Sequence, residues 1–189
     1  MIRYYIYTEF TERGVRSVLS DDELIEQIRL GDEKAAEDLI KRYYSPILRY
    51  CKWHCSDLGR AEDLTQETFL KLFKNISEYK GKKKFKSYIY TIANHLCIDE
   101  SRKVQAYSLE NDENIVNESD EILKVEDKVE VGDLMKLLSP EQKEAIILRF
   151  GEQLAFGEIA KVMGCNMRTA QSRVRSALEI MRKEKRDGR

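Results

Sequence analysis

Proline and glycine are scarce in this 189-residue chain, which contains 2 prolines and 9 glycines. Both residues interrupt or weaken helices, so their scarcity leaves long stretches free to be helical. Charged residues make up 35% of the chain, which suits helices with solvated outer faces. We therefore predict an all-α soluble protein, with length for one large domain or two small ones.

The chain also lacks any apolar run long enough to span a membrane and any signal-peptide pattern at its N-terminus. Its four cysteines include no CxxC pair, and nothing in their spacing implies an oxidising compartment. A cytoplasmic location is therefore expected. No set of residues supplies a nucleophile, a base and an oxyanion donor, so a hydrolase has no support and no enzymatic activity is expected.

A metal or redox site is an alternative that the cysteines and histidines raise. Cys51, His54 and Cys55 are close in sequence, and His95 and Cys97 form a second group. Cys51 and Cys55 are one helical turn apart, which is not a standard zinc-ligand spacing, whereas buried cysteines are common in helical cores. We expect neither a metal nor a cofactor.

The formal net charge of −1 conceals three segments of opposite sign. Residues 80–103 carry seven Lys/Arg and two acids, and residues 161–189 carry nine Lys/Arg and three acids. Between them, residues 105–131 carry nine acids and two lysines, with no steady apolar period. This pattern predicts two basic units joined by a flexible acidic linker.

Four helices are predicted between residues 20 and 103. A capping-box pattern at Ser20 begins the first, and Asp32 caps the second. Apolar periodicity predicts the third over about residues 60–75 and the fourth over about 85–103. Within the fourth helix we expect Tyr88 to be buried. We assign no function to residues 1–19.

A second stripe of residues lies on the third predicted helix, away from the side that carries Leu64, Thr68 and Leu72. Its members recur at intervals of three and four residues and are mostly polar or acidic: Asp63, Gln66, Glu67 and Leu70. Such a stripe is more often plain solvated surface. It is also what a docking surface for a basic partner helix requires.

The last third of the chain predicts a helix-turn-helix unit. Ser139 and Pro140 begin a helix, Gly164 ends a later one, and Asn166 caps the last. The outer side of that last helix is polar and basic: Arg168, Gln171, Ser172 and Arg175, with Arg173 at the margin. This layout places a helix in the major groove, so DNA binding is favoured over an ordinary helical hairpin.

Along nearly its whole length after Ser20, the chain resembles the extracytoplasmic-function group of bacterial RNA polymerase sigma factors. The matching motifs are residues 31–40 (GDEKAAEDLI), 61–73 (AEDLTQETFLKLF), 85–99 (FKSYIYTIANHLCID), 138–142, 158–160 and 172–174. Their order and spacing together are highly specific. The resemblance implies a four-helix promoter −10 domain at residues 20–103, a linker at 104–131 and a helix-turn-helix −35 domain at 132–186.

The resemblance also implies a function and its partners. The chain would direct RNA polymerase core to promoters and help to melt the −10 duplex, bound to the β′ clamp and the β flap and regulated by a cognate anti-sigma factor. The implied polymerase contacts are Asp63, Gln66, Glu67 and Leu70. The implied −10 contacts are Lys82, Lys83, Lys84, Phe85, Lys86, Asn94, Asp99, Arg102 and Lys103. Phe85 is equally consistent with a position in the core. The implied −35 contacts are Arg168, Thr169, Gln171, Ser172, Arg173 and Arg175.

Two positions depart from the family pattern. Ala155 stands where Ser or Thr usually caps the first helix of the helix-turn-helix, which costs about 1 kcal/mol. Residues 168–171 read Arg-Thr-Ala-Gln where Gly-Thr-Val-Lys is common, which leaves the −35 sequence preference open.

Two other functions are consistent with parts of the sequence. A stand-alone helix-turn-helix regulator with a signal-receiving N-terminal domain would bind duplex DNA tightly without polymerase. A cysteine-based metal or redox sensor would bind metal stoichiometrically or change on oxidation.

Overall fold

The computed structural model describes residues 19–55, 57–81, 84–111 and 126–187. These residues form eight α-helices and one short π-helix, without a strand, so the predicted all-α fold is confirmed. Most of the predicted N-terminal extension, Lys82, Lys83 and residues 112–125 lie outside the described residues.

Helix α1 (Asp21–Arg29) and helix α2 (Glu33–Lys52) begin where the sequence predicts. Ser20 caps α1, since its Oγ accepts from the Glu23 N–H at 3.3 Å while the Glu23 carboxylate accepts from the Ser20 N–H at 2.7 Å. Between the helices, Gly31 has a φ of 89°, a left-handed conformation that glycine adopts without strain. The Asp32 carboxylate then accepts from the Lys34 N–H at 2.9 Å and caps α2.

Helix α3 (Leu58–Lys74) and helix α4 (Phe85–Asn111) complete the N-terminal unit, which we define as α1–α4. Their apolar faces join that of α2 in a core whose centre is fully buried: Leu39, Ile47, Ala61, Leu72, Ile89 and Ala93. Arg60 of α3 forms an ion pair with Glu100 of α4, with Nε 2.5 Å from Oε1. Hydrogen bonding from Arg60 lowers the pKa of Glu100.

The acidic segment that was predicted to be a linker contains helix at both of its ends. Helix α4 continues to Asn111 instead of ending near Lys103, and helix α5 (Glu126–Lys136) begins inside the predicted linker. Residues 104–111 contain neither glycine nor proline, and they include alanine, leucine and glutamate, which favour helix. Acidic composition indicated a linker, but charge by itself does not end a helix.

The C-terminal unit, defined as α5–α8, contains the predicted helix-turn-helix. Helix α6 (Pro140–Ile146) runs directly into a π-helical turn (Ile147–Gly151), and helices α7 (Phe156–Val162) and α8 (Met167–Asp187) follow. Gly164 ends α7 with a φ of 60°, and the Asn166 side chain accepts from the Thr169 N–H at 2.8 Å to cap α8. The predicted start and stop signals are therefore found in this unit.

The N-terminus of α7 has only half of a capping box. The methyl group of Ala155 accepts no hydrogen bond, but the Glu158 carboxylate accepts from the Ala155 N–H at 2.8 Å. Ala155 has φ −71° and ψ 153°, the extended conformation of an N-cap residue.

We therefore expect Ala155→Ser to stabilise the protein by about 0.5–1 kcal/mol, because the serine Oγ can accept from the Glu158 N–H. Urea unfolding followed by circular dichroism measures the change. Ala155→Val is the matched control, since valine adds volume without an acceptor. Equal stability of the serine and valine variants would contradict the capping explanation.

The two units pack against each other through α4 and α7, a contact that the sequence did not predict. Nowhere in the described ranges is a helix both long enough and apolar enough to cross a membrane.

Candidate nucleic-acid and protein interfaces

The outer face of α3 combines exposed acids with an exposed apolar side chain. Leu70 is 70% exposed, although large apolar side chains are normally covered. Asp63, Gln66 and Glu67 surround it and are all exposed, on the side opposite the buried Leu64, Thr68 and Leu72. An apolar centre within a polar rim is the usual composition of a protein-binding surface. The structure thus places all four predicted residues together.

Among the described residues, the ion pairs of the acids on this face are local. Asp63 lies 3.6 Å from Arg60, and Glu67 lies 3.5 Å from Lys71, both within one helical turn. Exposed pairs of this kind contribute about 0.3–0.5 kcal/mol each to helix stability. The face is therefore nearly dispensable for the fold.

The predicted −10 residues near position 100 lie together on an exposed surface of α4. Asp99, Arg102 and Lys103 are exposed, and Asp99 lies 3.7 Å from Arg102. Lys84, just before the helix, is also exposed. These cationic side chains are available to phosphates.

Of the two positions that the sequence leaves open for Phe85, the structure shows the one in the core. Phe85 is 2% exposed, and its ring lies edge-on to Tyr43 and Tyr79, with centroids 5.2 and 5.8 Å apart. Tyr88, which was expected to be buried, is only half-buried, and its ring contacts Tyr79 at 4.9 Å. The first turn of α4 therefore buries Phe85 in place of Tyr88.

Asn94 and Lys86 are occupied by the C-terminal unit instead of being free for DNA. Asn94 is 6% exposed; its Nδ2 donates to the Val162 carbonyl at 3.1 Å, and its Oδ1 accepts from the Tyr50 hydroxyl at 3.2 Å. Lys86 Nζ donates to the backbone carbonyl of Glu152 at 2.7 Å. In this arrangement Asn94 is buried and the Lys86 ammonium is occupied, so neither is free for the DNA contact predicted for it.

The outer face of α8 carries the predicted −35 residues in an accessible position. The exposed ones are Arg168, Gln171, Ser172 and Arg175. Thr169 and Arg173 are half-buried. The opposite face is buried through Ala170, Val174 and Ala177. The Thr169 hydroxyl donates to Asn166 at 3.0 Å, so part of its hydrogen-bonding capacity serves the cap.

Glu152 and Arg49 are the residues that sequence reasoning missed. The Glu152 carboxylate is 1% exposed and accepts from Arg49 Nη2 at 2.7 Å and from the Tyr90 hydroxyl at 2.5 Å. Burial, together with the hydrogen bond to Glu152, raises the pKa of Tyr90, so that hydroxyl remains a donor. No periodicity or motif marks either residue. A lone acid in a loop offers no signal of a partner 103 positions away.

The cysteines lie in the N-terminal core, apart from Cys165. Cys51, Cys55 and Cys97 are buried, and burial raises the pKa of the Cys55 thiol to about 12. His95 is exposed. Within the described part of the chain, histidines, cysteines and acids form no group that could hold a metal ion.

Two family models match this chain: Sigma-70 region 2 over residues 39–107 and Sigma-70, region 4 over residues 128–181. The ECF RNA polymerase sigma factor SigC of Mycobacterium tuberculosis (strain CDC 1551 / Oshkosh) is 30% identical over 170 residues, which cover 86% of this chain and 91% of that protein.

Solved structures share the fold. CnrH in complex with the cytosolic domain of CnrY gives a TM-score of 0.67 at 18% identity, over 86% of this chain and 95% of CnrH. The sigma factor RpoE in complex with the anti-sigma factor NepR from Bartonella quintana gives a TM-score of 0.63 at 22% identity, over 81% of this chain and 99% of that chain.

Proposed function

This chain belongs to the extracytoplasmic-function group of the sigma-70 factors, and we propose which of its surfaces carry out promoter-directed initiation. Residues 20–103 form the −10 domain and residues 132–186 the −35 domain, joined through residues 104–131. The observation that carries the proposal is the separation of three exposed surfaces, on the outer face of α3, around Asp99, Arg102 and Lys103 of α4, and on the outer face of α8. Each surface is free of the core, so each can bind its own partner.

The face of α3 binds the β′ clamp of RNA polymerase core. Its acids attract a basic partner over a distance, and Leu70 supplies apolar area once the surfaces meet. The β flap contacts the −35 domain. In both cases the chain acts by binding and not by catalysis, and its place of action is the cytoplasm.

The exposed part of α4 binds the −10 element. Arg102, Lys103 and Lys84 neutralise phosphates, a contribution that falls as salt rises. Lys82 and Lys83, outside the described residues, are proposed to add to it. Asn94 and Lys86 join this surface only when the C-terminal unit moves off α4.

The exposed face of α8 reads the −35 element. Arginine binds guanine in a bidentate fashion at about 1–3 kcal/mol per specific contact.

We expect Arg168→Ala to change which −35 variants are transcribed, by about 5- to 150-fold at the contacted base pair. Selection of transcribed promoters from a library randomised at −35 measures this change.

Lys183→Ala is the matched control, because Lys183 is exposed further along α8. It should weaken binding to all promoters alike. The slope of log affinity against log salt concentration should fall by about one. If the alanine variants of Arg168, Gln171 and Arg173 all select the same promoters as the wild type at the same strength, α8 is not the reading helix.

Run-off transcription with purified polymerase core on a promoter library tests the function as a whole. Specific transcripts that require both core and this chain are expected. A stand-alone regulator would instead bind duplex DNA tightly by itself, and that alternative is not favoured, because both matching family models are sigma-factor regions.

An anti-sigma protein is part of the proposal. The support is that RpoE, which shares the fold, was solved in complex with the anti-sigma factor NepR. Such an inhibitor would compete with polymerase core, so adding core should displace it from this chain in a pull-down experiment.

A further inference from the structure

The loop between α3 and α4 is held in place by an arginine from α1. We define this loop as residues 75–84, of which the structure describes 75–81 and 84. Arg29, the last residue of α1, donates from Nε and Nη2 to the Ile76 carbonyl at 3.2 and 3.0 Å. Its Nη2 also donates to the Tyr79 carbonyl. These bonds join residues 47 and 50 positions apart, so the loop depends on a helix distant in sequence.

The contact requires the chemistry of arginine. Ile76 and Tyr79 are each 8% exposed, and a buried backbone carbonyl without a donor is costly. The planar guanidinium presents five N–H donors in a fixed fork, so one side chain reaches both carbonyls. The remaining nitrogen of Arg29, Nη1, binds Glu26 at 2.7 Å, but Glu26 is 70% exposed. An exposed pair of this kind contributes little, so the carbonyl bonds are the main part of the contact.

The Tyr79 side chain fixes the same loop from the other direction. Its ring contacts the rings of Phe85 and Tyr88 on α4, with centroids 5.8 and 4.9 Å apart. The chain then passes close to this ring at Gly81, where a Cβ would lie 2.9 Å from Tyr79 Cε2. Any larger residue at position 81 must therefore displace the ring. Tyr79 thus anchors the loop to α1 through its carbonyl and to α4 through its ring.

Two exposed lysines lie next to these anchors. Lys80 directly follows Tyr79, and Lys84 directly precedes α4. Both are exposed, and neither forms an ion pair with a residue that the structure describes. A cation on an ordered backbone binds a phosphate at a lower entropic cost than one on a mobile loop. The anchors of the loop therefore affect how well these two lysines bind DNA.

We propose that Arg29 is a positioning residue for promoter binding: by holding the Ile76 and Tyr79 carbonyls, it presents Lys80 and Lys84 to the phosphates of the −10 element. This inference rests on the proposed function, to which it adds Lys80 as a contact and Arg29 as the residue that orients the loop. Arg29 acts through the backbone of the loop and not by contacting DNA, because all three of its guanidinium nitrogens are already bound.

Hydrogen exchange in the free, full-length protein tests whether Arg29 holds the loop. The backbone N–H groups of Ile76, Glu78 and Tyr79 all donate to nearby carbonyls. Arg29→Met keeps the apolar stem and removes every donor, so these three amides should exchange at least about tenfold faster. Glu26→Gln is the matched control: it removes the charge that pairs with Nη1 and leaves the carbonyl bonds intact, so exchange in the loop should not change.

The salt dependence of promoter binding by the holoenzyme tests the link to DNA. The probe is a fluorescein-labelled duplex of the promoter that wild-type holoenzyme transcribes most strongly from the library. Lys80→Ala with Lys84→Ala should lower the slope of log affinity against log salt concentration by about two, because two phosphate contacts are lost. Arg29→Met should lower the slope by about one to two, and it should have little further effect when both lysines are already alanine. A smaller folded fraction would reduce the amount of complex without changing this slope.

Arg29→Lys separates positioning from direct contact with DNA. Lysine keeps the positive charge but lacks the planar fork, so it should restore loop exchange and the salt slope only in part. A lysine variant with a wild-type slope and a fast-exchanging loop would mean that Arg29 itself contacts phosphate, which would overturn the positioning role. Titration with fluorescent core should give the wild-type affinity for every variant, because none of them alters the outer face of α3.

Gly81→Ala decides the matter if Arg29→Met fails to fold, since its methyl group displaces the Tyr79 ring and perturbs the same loop from within. Unchanged loop exchange in every folded Arg29 variant would overturn Arg29 as the anchor. Faster exchange with a wild-type salt slope would overturn the link to DNA. A wild-type holoenzyme that fails to transcribe would refute the proposed function and the DNA contact with it, whereas the exchange measurement, which uses no polymerase, would still decide whether Arg29 holds the loop.

Discussion

Simultaneous alanine substitution of Asp63, Gln66 and Glu67 is expected to abolish the binding of polymerase core while leaving the fold intact. Truncation of a central interface residue costs about 2 kcal/mol or more, so the triple change should weaken binding by more than about 100-fold. The free energy of unfolding should change by less than about 1 kcal/mol, because these side chains are exposed and their ion pairs with described residues span one turn. Titration with fluorescent core and urea unfolding measure the two quantities.

Glu37→Ala with Asp38→Ala is the matched control. Both residues are exposed on α2, and the pair removes two negative charges, as the triple change does. The control should bind core as the wild type does, which separates a specific surface from a loss of overall charge. A triple variant that unfolds, or one that binds core normally, would refute the assignment of this face.

Local signals predicted the N-terminal boundaries of the helices well. Ser20, Asp32 and Ser139 each cap a helix where the sequence indicates, because a side-chain acceptor satisfies backbone donors only two or three residues away. Gly31 and Gly164 adopt the left-handed conformation where helices end. Such signals depend on a few neighbouring residues, so a single sequence contains them in full.

Boundaries without a local signal were predicted less well. The end of α4 was placed near Lys103 because the composition becomes acidic there, yet the helix runs to Asn111. A change in charge alters what a segment repels, but it leaves the backbone hydrogen bonds of the helix unaffected.

The candidate site was predicted in part, for a physical reason visible on α4. Periodicity identifies which residues of a helix avoid water, but it does not identify what covers them. Asn94 was assigned to DNA because the family resemblance places it on the helix that reads −10 bases, and the structure covers it with α7 instead. The ion pair of Arg49 with Glu152 joins residues 103 positions apart, so it becomes visible only when both units are placed.

Phe85→Ala is expected to destabilise the N-terminal unit by about 3–5 kcal/mol, the usual cost of removing a buried aromatic ring. Phe85 is 2% exposed, and its ring contacts Tyr43 and Tyr79, so truncation leaves a cavity between α2 and α4. Urea unfolding can be followed by the fluorescence of Trp53, the single tryptophan, which packs against the core of this unit. Phe85→Leu should cost less, because leucine fills part of the space.

Tyr88→Ala provides the comparison within the same turn of α4. Tyr88 is half-buried, so its truncation should cost clearly less stability than that of Phe85. Both variants should then be assayed for melting of a promoter duplex at a temperature where each is folded. If Phe85→Ala keeps the stability of the wild type and loses only promoter melting, its ring contacts DNA and does not belong to the core. A loss of stability with melting retained in the folded fraction would establish the core assignment, because a structural ring acts on DNA only through the amount of folded protein.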